Sequence, residues 1–117
     1  MRIHHVALRT RDLLRLESFY SRALGLRVTR RSGDRSVWMS SGDAIVMLER
    51  AGEDEPTIPN GSQEMLAFAI SPSERETTLA RLKDASVPIE AETRFTIYFR
   101  DPDGRKVGLS HFPDEKA

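Results

Sequence analysis

The fold is decided by the stretch HVALRT at residues 5–10, which leads into a helical pattern that ends in LGL at residues 24–26. About 60 residues later, MLAFAI at residues 65–70 leads into a second helical pattern that ends near residue 85. Three short strand-like segments follow each helix. A strand–helix–three-strand unit that occurs twice predicts an α+β fold, in which two βαβββ modules form a half-open, barrel-like cleft.

Module 1 is predicted over about residues 1–50. The pattern at residues 3–9 indicates a first strand. Asp12 is a suitable N-cap for a helix through about residue 24, because its carboxylate can accept a hydrogen bond from the first turn. Gly25 is a typical left-handed C-cap. Tight-turn sequences then separate three further strands, at residues 26–32, 35–41 and 44–50.

Module 2 is predicted over about residues 63–113, after a linker at residues 51–62 that holds two prolines, two glycines and an acidic run. A capping box formed by Ser71 and Glu74 should begin its helix, which Pro88 prevents from continuing. We place strands near residues 64–70, 89–93, 95–100 and 105–112, with a DPDG turn at residues 101–104. The two modules make up a single domain, residues 1–117.

Composition excludes several classes of function. The chain has no cysteine, so disulfides, zinc–thiolate sites and thiol nucleophiles are ruled out. Its first residues are interrupted by charges and lack the apolar stretch of a signal peptide, and no run approaches the roughly 20 apolar residues of a membrane span. A cytoplasmic location without a membrane partner is therefore expected. Nucleic acid is not an expected partner either, because no basic stripe with interleaved aromatic residues is present.

With these elements in view, the chain resembles the vicinal oxygen chelate superfamily, which includes glyoxalase I, fosfomycin and bleomycin resistance proteins and extradiol dioxygenases. The resemblance covers nearly the whole chain. It implies paired βαβββ modules, a small-molecule ligand in the cleft, and a homodimer. The motifs that carry it are HVALR at residues 5–9 followed by Asp12-Leu13, Phe19-Tyr20 before Leu24-Gly25-Leu26, AFAI at residues 67–70, and the DPDG turn.

In the metal-dependent members of that superfamily, four inward strand positions supply His and Glu ligands to a divalent cation such as Ni, Zn, Mn, Fe or Mg. The cation then chelates two adjacent substrate oxygens. By resemblance, the first position is His5 in this chain. The second lies on the strand at residues 44–50, where Met47 or Val46 fits best and Glu49 fits only with a register slip or a bulge.

The other two metal positions are changed. The third should be His and is Met65, and the fourth should be Glu and is Gly108. A thioether and a glycine cannot replace an imidazole and a carboxylate as ligands of a hard or borderline cation. At most two of the four ligands remain, His5 and Glu49, so the resemblance implies a degenerate metal site.

The leading hypothesis is therefore a small-molecule binding protein of the glyoxalase/bleomycin-resistance type. The sequence assigns it no cofactor, and a divalent metal enters only under the metal-dependent alternative. Methionine and aromatic side chains adapt to apolar and aromatic ligands. Gly108 is expected to leave room where a side chain would otherwise stand. The expected ligand-binding residues are Trp38, Met47, Met65, Tyr98 and Gly108.

Two other hypotheses stay open. The chain could be a divergent metal-dependent lyase, isomerase or dioxygenase that holds a divalent metal through His5 and Glu49, or a metal-free enzyme with His5 as general base. It could instead be an interaction module that acts through its dimer surface. His111 is out of phase with the inward positions of the last strand, which favours a structural role.

Overall fold

The computed structural model describes residues 1–115. The chain divides into two compact units, one spanning Met1–Pro56 and one beginning at Thr57. Within the described residues, each unit has a four-stranded mixed sheet and one α-helix. The α+β class and the repeated strand–helix–three-strand order are thereby confirmed. None of the helices among residues 1–115 has the length and apolar character needed to span a membrane.

The elements of unit 1 are β1 (His5–Thr10), α1 (Leu13–Leu24), β2 (Arg27–Ser32), β3 (Ser36–Ser41) and β4 (Ala44–Arg50). The strand order is β1-β4-β3-β2, in which β1 runs parallel to β4 and the other neighbours are antiparallel. The Asp12 carboxylate accepts a hydrogen bond from the Arg15 backbone N–H at 3.1 Å, and Gly25 ends the helix with φ 71°. Both predicted caps are therefore present.

The core of unit 1 lies between α1 and one face of its sheet. Leu16, Tyr20 and Ala23 recur on one side of the helix and are almost fully buried. The alternate residues of the strands meet them, since side chains along a strand point to opposite faces in turn. The strand residues buried in this core are Leu8, Val37, Met39, Val46 and Leu48.

The edge strand β2 is joined to α1 by an ion pair. Arg31 donates to the two carboxylate oxygens of Glu17 at 2.7 and 2.9 Å. This bidentate contact lowers the pKa of Glu17 and raises that of Arg31. A β-bulge between Val28 and Arg30 shifts the register of β2 against β3. Because of the bulge, Arg30 lies beside Trp38.

The elements of unit 2 are β5 (Met65–Ala69), α2 (Arg75–Asp84), β6 (Ala91–Glu92), β7 (Thr96–Arg100) and β8 (Lys106–Ser110). The strand order is β5-β8-β7-β6, with β5 parallel to β8. Glu74 reaches back to accept the Ser71 backbone N–H at 2.8 Å, as the predicted capping box requires, but the first turn is 3₁₀ and the α-helix starts at Arg75. The bond lowers the pKa of Glu74.

The turn between β7 and β8 is organised by a buried carboxylate. Asp101 is 4% exposed, and its Oδ1 accepts the backbone N–H groups of Asp103 and Arg105 at 2.9 and 3.1 Å. Its Oδ2 accepts from the Arg105 guanidinium at 2.6 Å. Gly104 has φ 88°, which glycine adopts at little cost. The predicted DPDG turn is thus present, and it fixes the start of β8.

Candidate functional site

One face of the unit 1 sheet is not part of the helix-packed core, and we call it face 1. On β1 and β4 the odd-numbered residues lie on face 1, while on β3 the even-numbered ones do, because their neighbours in sequence are the buried ones. Face 1 residues are half-buried or exposed. They are His5, Ala7, Arg9, Ser36, Trp38, Ser40, Ile45, Met47 and Glu49.

Trp38 lies near the middle of face 1. It is in register with Met47, which pairs on its other side with Ala7. The His5 ring is stacked against Trp38, with ring centroids 6.1 Å apart and an interplanar angle of 17°. The Arg30 guanidinium carbon lies 5.8 Å from the Trp38 centroid, within the range of a cation–π contact. An imidazole, an indole and a thioether therefore share this part of the face.

Strand β4 pairs residue by residue with both β1 and β3, which settles its register. His5 is opposite Ile45, and Glu49 is opposite Arg9. The positions of His5 and Glu49 are therefore four residues apart along paired strands, about 13 Å at the usual rise per residue. Strand β4 has neither the register slip nor the bulge that would bring Glu49 to the expected metal position. Met47 instead lies at the middle of the strand, between Ala7 and Trp38.

Both residues of the expected metal pair have other contacts. Arg9 Nη1 donates to Glu49 Oε1 at 3.3 Å. His5 Nδ1 lies 2.9 Å from His4 Nδ1, so one of these ring nitrogens carries a hydrogen and donates a hydrogen bond that the other accepts. Across residues 1–115, no three His, Asp or Glu side chains come together in a group that could hold a metal ion. The donors present therefore do not fit the facial set of His and Glu ligands.

The corresponding face of the unit 2 sheet, face 2, brings together the other three expected ligand-binding residues. Gly108 pairs with Ala67 on one side and Tyr98 on the other. A Cβ atom on Gly108 would lie 3.0 Å from Met65 Sδ and 3.6 Å from Tyr98 Cδ1. The expectation that Gly108 leaves room therefore needs correction, because the Met65 thioether fills the space above the glycine. Met65 itself remains 45% exposed.

Face 2 also carries a cation that sequence reasoning missed. Lys106 Nζ lies 4.8 Å from the centre of the Tyr98 ring and donates to Gln63 Oε1 at 2.9 Å. It shares the face because it is two residues from Gly108 on β8. Strand alternation alone predicts that Lys106 lies on face 2. It does not predict that Arg30 lies beside Trp38, because the bulge in β2 shifts the alternation.

His111 lies outside both faces. It is 3% exposed, and Arg75 Nη1 lies 3.1 Å from its Nε2. A guanidinium can only donate, so Nε2 is the acceptor and the Nδ1–H donates to the Asp114 carbonyl at 2.7 Å. Arg75 also donates to the carbonyls of Thr93 and Arg94. These contacts fit the structural role predicted for His111.

Arg9 forms a second ion pair at its end of face 1. Its Nε and Nη2 donate to Glu55 Oε2 and Oε1 at 2.9 and 2.8 Å, and the Gly52 backbone N–H donates to Oε1 at 3.2 Å. The Arg9 bonds, and then the Gly52 bond, lower the pKa of Glu55 to about 2. The bonds to Glu55, and then the bond to Glu49, raise the pKa of Arg9 further above its ordinary value.

Comparison with known proteins gives one family and many related folds. The model of the Glyoxalase/Bleomycin resistance protein/Dioxygenase superfamily matches residues 2–109. A glyoxalase/dioxygenase from Nostoc punctiforme has a TM-score of 0.81 at 22% identity, over 97% of this chain and 92% of that one. The fosfomycin resistance protein FosX from Listeria monocytogenes has a TM-score of 0.80 at 19% identity, over 94% and 90%. Lactoylglutathione lyase from Agrobacterium tumefaciens has a TM-score of 0.75 at 22% identity, over 95% and 93%. At these identities the structural likeness concerns the fold.

Proposed function

The chain belongs to the Glyoxalase/Bleomycin resistance protein/Dioxygenase superfamily, and on that premise we propose that it is a small-molecule binding protein with a degenerate metal site. One observation carries the proposal. Three of the four strand positions that supply metal ligands in the metal-dependent members hold Met47, Met65 and Gly108. Two thioethers and a hydrogen atom offer no donor suited to a hard or borderline cation.

An apolar or aromatic compound is the ligand that the side chains of the two faces favour. On face 1, Trp38 and Met47 present an indole ring and a thioether side by side. On face 2, Met65 covers Gly108 beside the Tyr98 ring. Aromatic rings stack on such side chains, and methionine adapts to the outline of a ligand because its side chain is unbranched and polarisable.

The single tryptophan of the chain makes the proposal testable on face 1. Compounds found by a thermal-shift screen should quench Trp38 fluorescence saturably. Calorimetry should give a Kd about fivefold or more weaker in Trp38→Ala, since the stacking of a planar base on an aromatic side chain is worth about 1–3 kcal/mol. Leu14→Ala is the matched control, because Leu14 is an apolar residue of α1 that is 74% exposed. Ligands that bind Trp38→Ala and Leu14→Ala equally well would contradict a site on face 1.

The metal-dependent alternative is tested by elemental analysis of protein purified without chelators or metal resin, in parallel with His5→Ala. About one equivalent of a divalent metal in the wild type, lost in the variant, would overturn the proposal. The arrangement of face 1 disfavours this alternative, because the register of β4 separates Glu49 from His5 and Arg9 donates to the Glu49 carboxylate.

The homodimer and the cytoplasmic location expected from the sequence stay predictions. Light scattering coupled to size-exclusion chromatography would test the first of them, with a dimer expected at about twice the chain mass of 13.3 kDa.

A further inference from the structure

The segment after β4 folds back over the end of β1, and we call this segment, residues 51–56, the strap. The Ala51 backbone N–H donates to the Thr10 carbonyl at 2.8 Å. Arg11 Nη2 donates to the backbone carbonyls of Glu53 and Glu55 at 3.1 and 2.7 Å. The strap is therefore fixed through its backbone, and these bonds do not use the Glu55 carboxylate.

The Glu55 carboxylate instead accepts hydrogen bonds from three converging N–H groups. Two come from the Arg9 guanidinium at 2.8 and 2.9 Å, in the bidentate geometry that matches a carboxylate or a phosphonate. The third is the Gly52 backbone N–H at 3.2 Å. Because the pKa of Glu55 is about 2, the group is ionised at neutral pH. Its carboxylate occupies the place that the acidic group of a bound molecule would take.

The contact is also accessible to exchange. The side chains of Arg9 and Glu55 are 47% and 28% exposed, and ion pairs in contact with solvent contribute little to stability. Arg9 shares face 1 with Met47 and Trp38. Glu49 also accepts from Arg9.

We propose that Arg9 and the Gly52 N–H form an anion site on face 1, occupied by Glu55 as an internal competitor, so that a carboxylate or phosphonate binds by displacing Glu55. The proposal deepens the function proposed above, on which it rests for the role of face 1, by giving the ligand an acidic group. Apparent affinity falls in proportion to the fraction of molecules in which the site is open. Removing the competitor should therefore strengthen the binding of small anions.

The test uses the full chain and two small anions, acetate and methylphosphonate, followed by NMR of the Gly52 backbone N–H in every variant and of the Arg9 Nε–H wherever Arg9 is present. Glu55→Gln removes the competing charge. Glu53→Gln is the matched control, because it makes the same change in net charge within the strap, where only the Glu53 backbone carbonyl is bonded to Arg11. Glu55→Gln combined with Arg9→Met removes both the competitor and the site.

Glu55→Gln should bind at least one of the two anions about tenfold or more tightly than the wild type and Glu53→Gln, as the open fraction rises. Binding should disappear in the double variant. Equal affinities in Glu55→Gln and Glu53→Gln would overturn the proposal, and so would binding that survives Arg9→Met. If the strap detaches from the end of β1 in Glu55→Gln, the Arg9 Nε–H signal still reports whether the anion binds at Arg9. Since neither probe has a ring, failure here leaves the Trp38 test of the proposed function standing.

Discussion

Gly108→Ala tests how firmly the Met65 side chain fills the space above Gly108. The added Cβ would lie 3.0 Å from Met65 Sδ, but at an ordinary 3.5 Å from Thr96 Cγ2 and 3.6 Å from Tyr98 Cδ1. Only the thioether must therefore move. Met65 is 45% exposed and can turn toward solvent, losing several atomic contacts worth about 0.1–0.2 kcal/mol each, or roughly 0.5–1 kcal/mol together.

A gain of similar size opposes this loss. The φ of Gly108 lies outside the left-handed region, so alanine is accommodated without backbone strain. Replacing a glycine at such a position stabilises a protein by about 0.4–1 kcal/mol, because the unfolded chain has less freedom to lose. The net change in the free energy of unfolding should therefore be close to zero in the wild type. In a Met65→Ala background, where nothing has to move, the same substitution should stabilise by the full amount of about 0.4–1 kcal/mol.

Urea unfolding of the four proteins in this cycle, followed by circular dichroism, measures the coupling between the two sites directly. The expected coupling is roughly 0.5–1 kcal/mol. If Gly108→Ala changes the free energy of unfolding equally in both backgrounds, Met65 does not fill the space above Gly108 in solution, and the geometry argued for face 2 is refuted.

Three further predictions concern stability, each measured by urea unfolding. The pKa of Glu55 is about 2 in the folded chain against an ordinary value of 4.5, so its stabilising effect is complete above pH 4.5 and is lost as the pH falls through about 2. Glu55→Gln should remove that part of the pH dependence, and parallel profiles would contradict it. His111→Leu removes one buried acceptor of the Arg75 guanidinium, which keeps those of Thr93, Arg94 and Glu92, and should cost roughly 1–3 kcal/mol, whereas the exposed control Arg94→Gln should change stability by less than about 0.5 kcal/mol. Equal effects would exclude the buried bond as the cause. Asp101→Ala leaves several turn donors without their acceptor and should cost roughly 3–5 kcal/mol, so a loss below about 1 kcal/mol would show that the turn forms without it.

Local chemistry explains why the architecture could be predicted from the sequence. Helix α1 begins and ends where Asp12 and Gly25 predict, because a cap acts through its immediate neighbours. Strand β6 is an exception, since it pairs only at Ala91 and Glu92 instead of over residues 89–93. It lies at the edge of its sheet and follows Pro88, which has no N–H to donate to a neighbouring strand.

The contacts within each face could not be predicted from the spacing of residues along the sequence. Arg30 is beside Trp38 because of a bulge, which changes the phase of β2 by one residue. Glu55 meets Arg9 across 46 positions in sequence, through a segment whose composition indicated only a linker. The distance between Met65 and Gly108 depends on a rotamer. Strand alternation does place Trp38 with Met47 and Tyr98 with Gly108, and those pairs are in register in the structure.

The positions that the resemblance assigns to metal ligands are held by their surroundings, so under the proposed function a single restored donor would not rebuild a metal site. A glutamate at residue 108 would have to displace the Met65 thioether before its carboxylate had any space. Met47 is paired in register with Ala7 on one side and with Trp38 on the other. His5 is the imidazole that remains among these positions. Its Nδ1 is hydrogen-bonded to His4 Nδ1, and its ring stacks on Trp38. Ring and thioether contacts thus organise the positions that the resemblance assigns to metal ligands, and under the proposed function such contacts favour binding an apolar molecule over polarising a substrate oxygen.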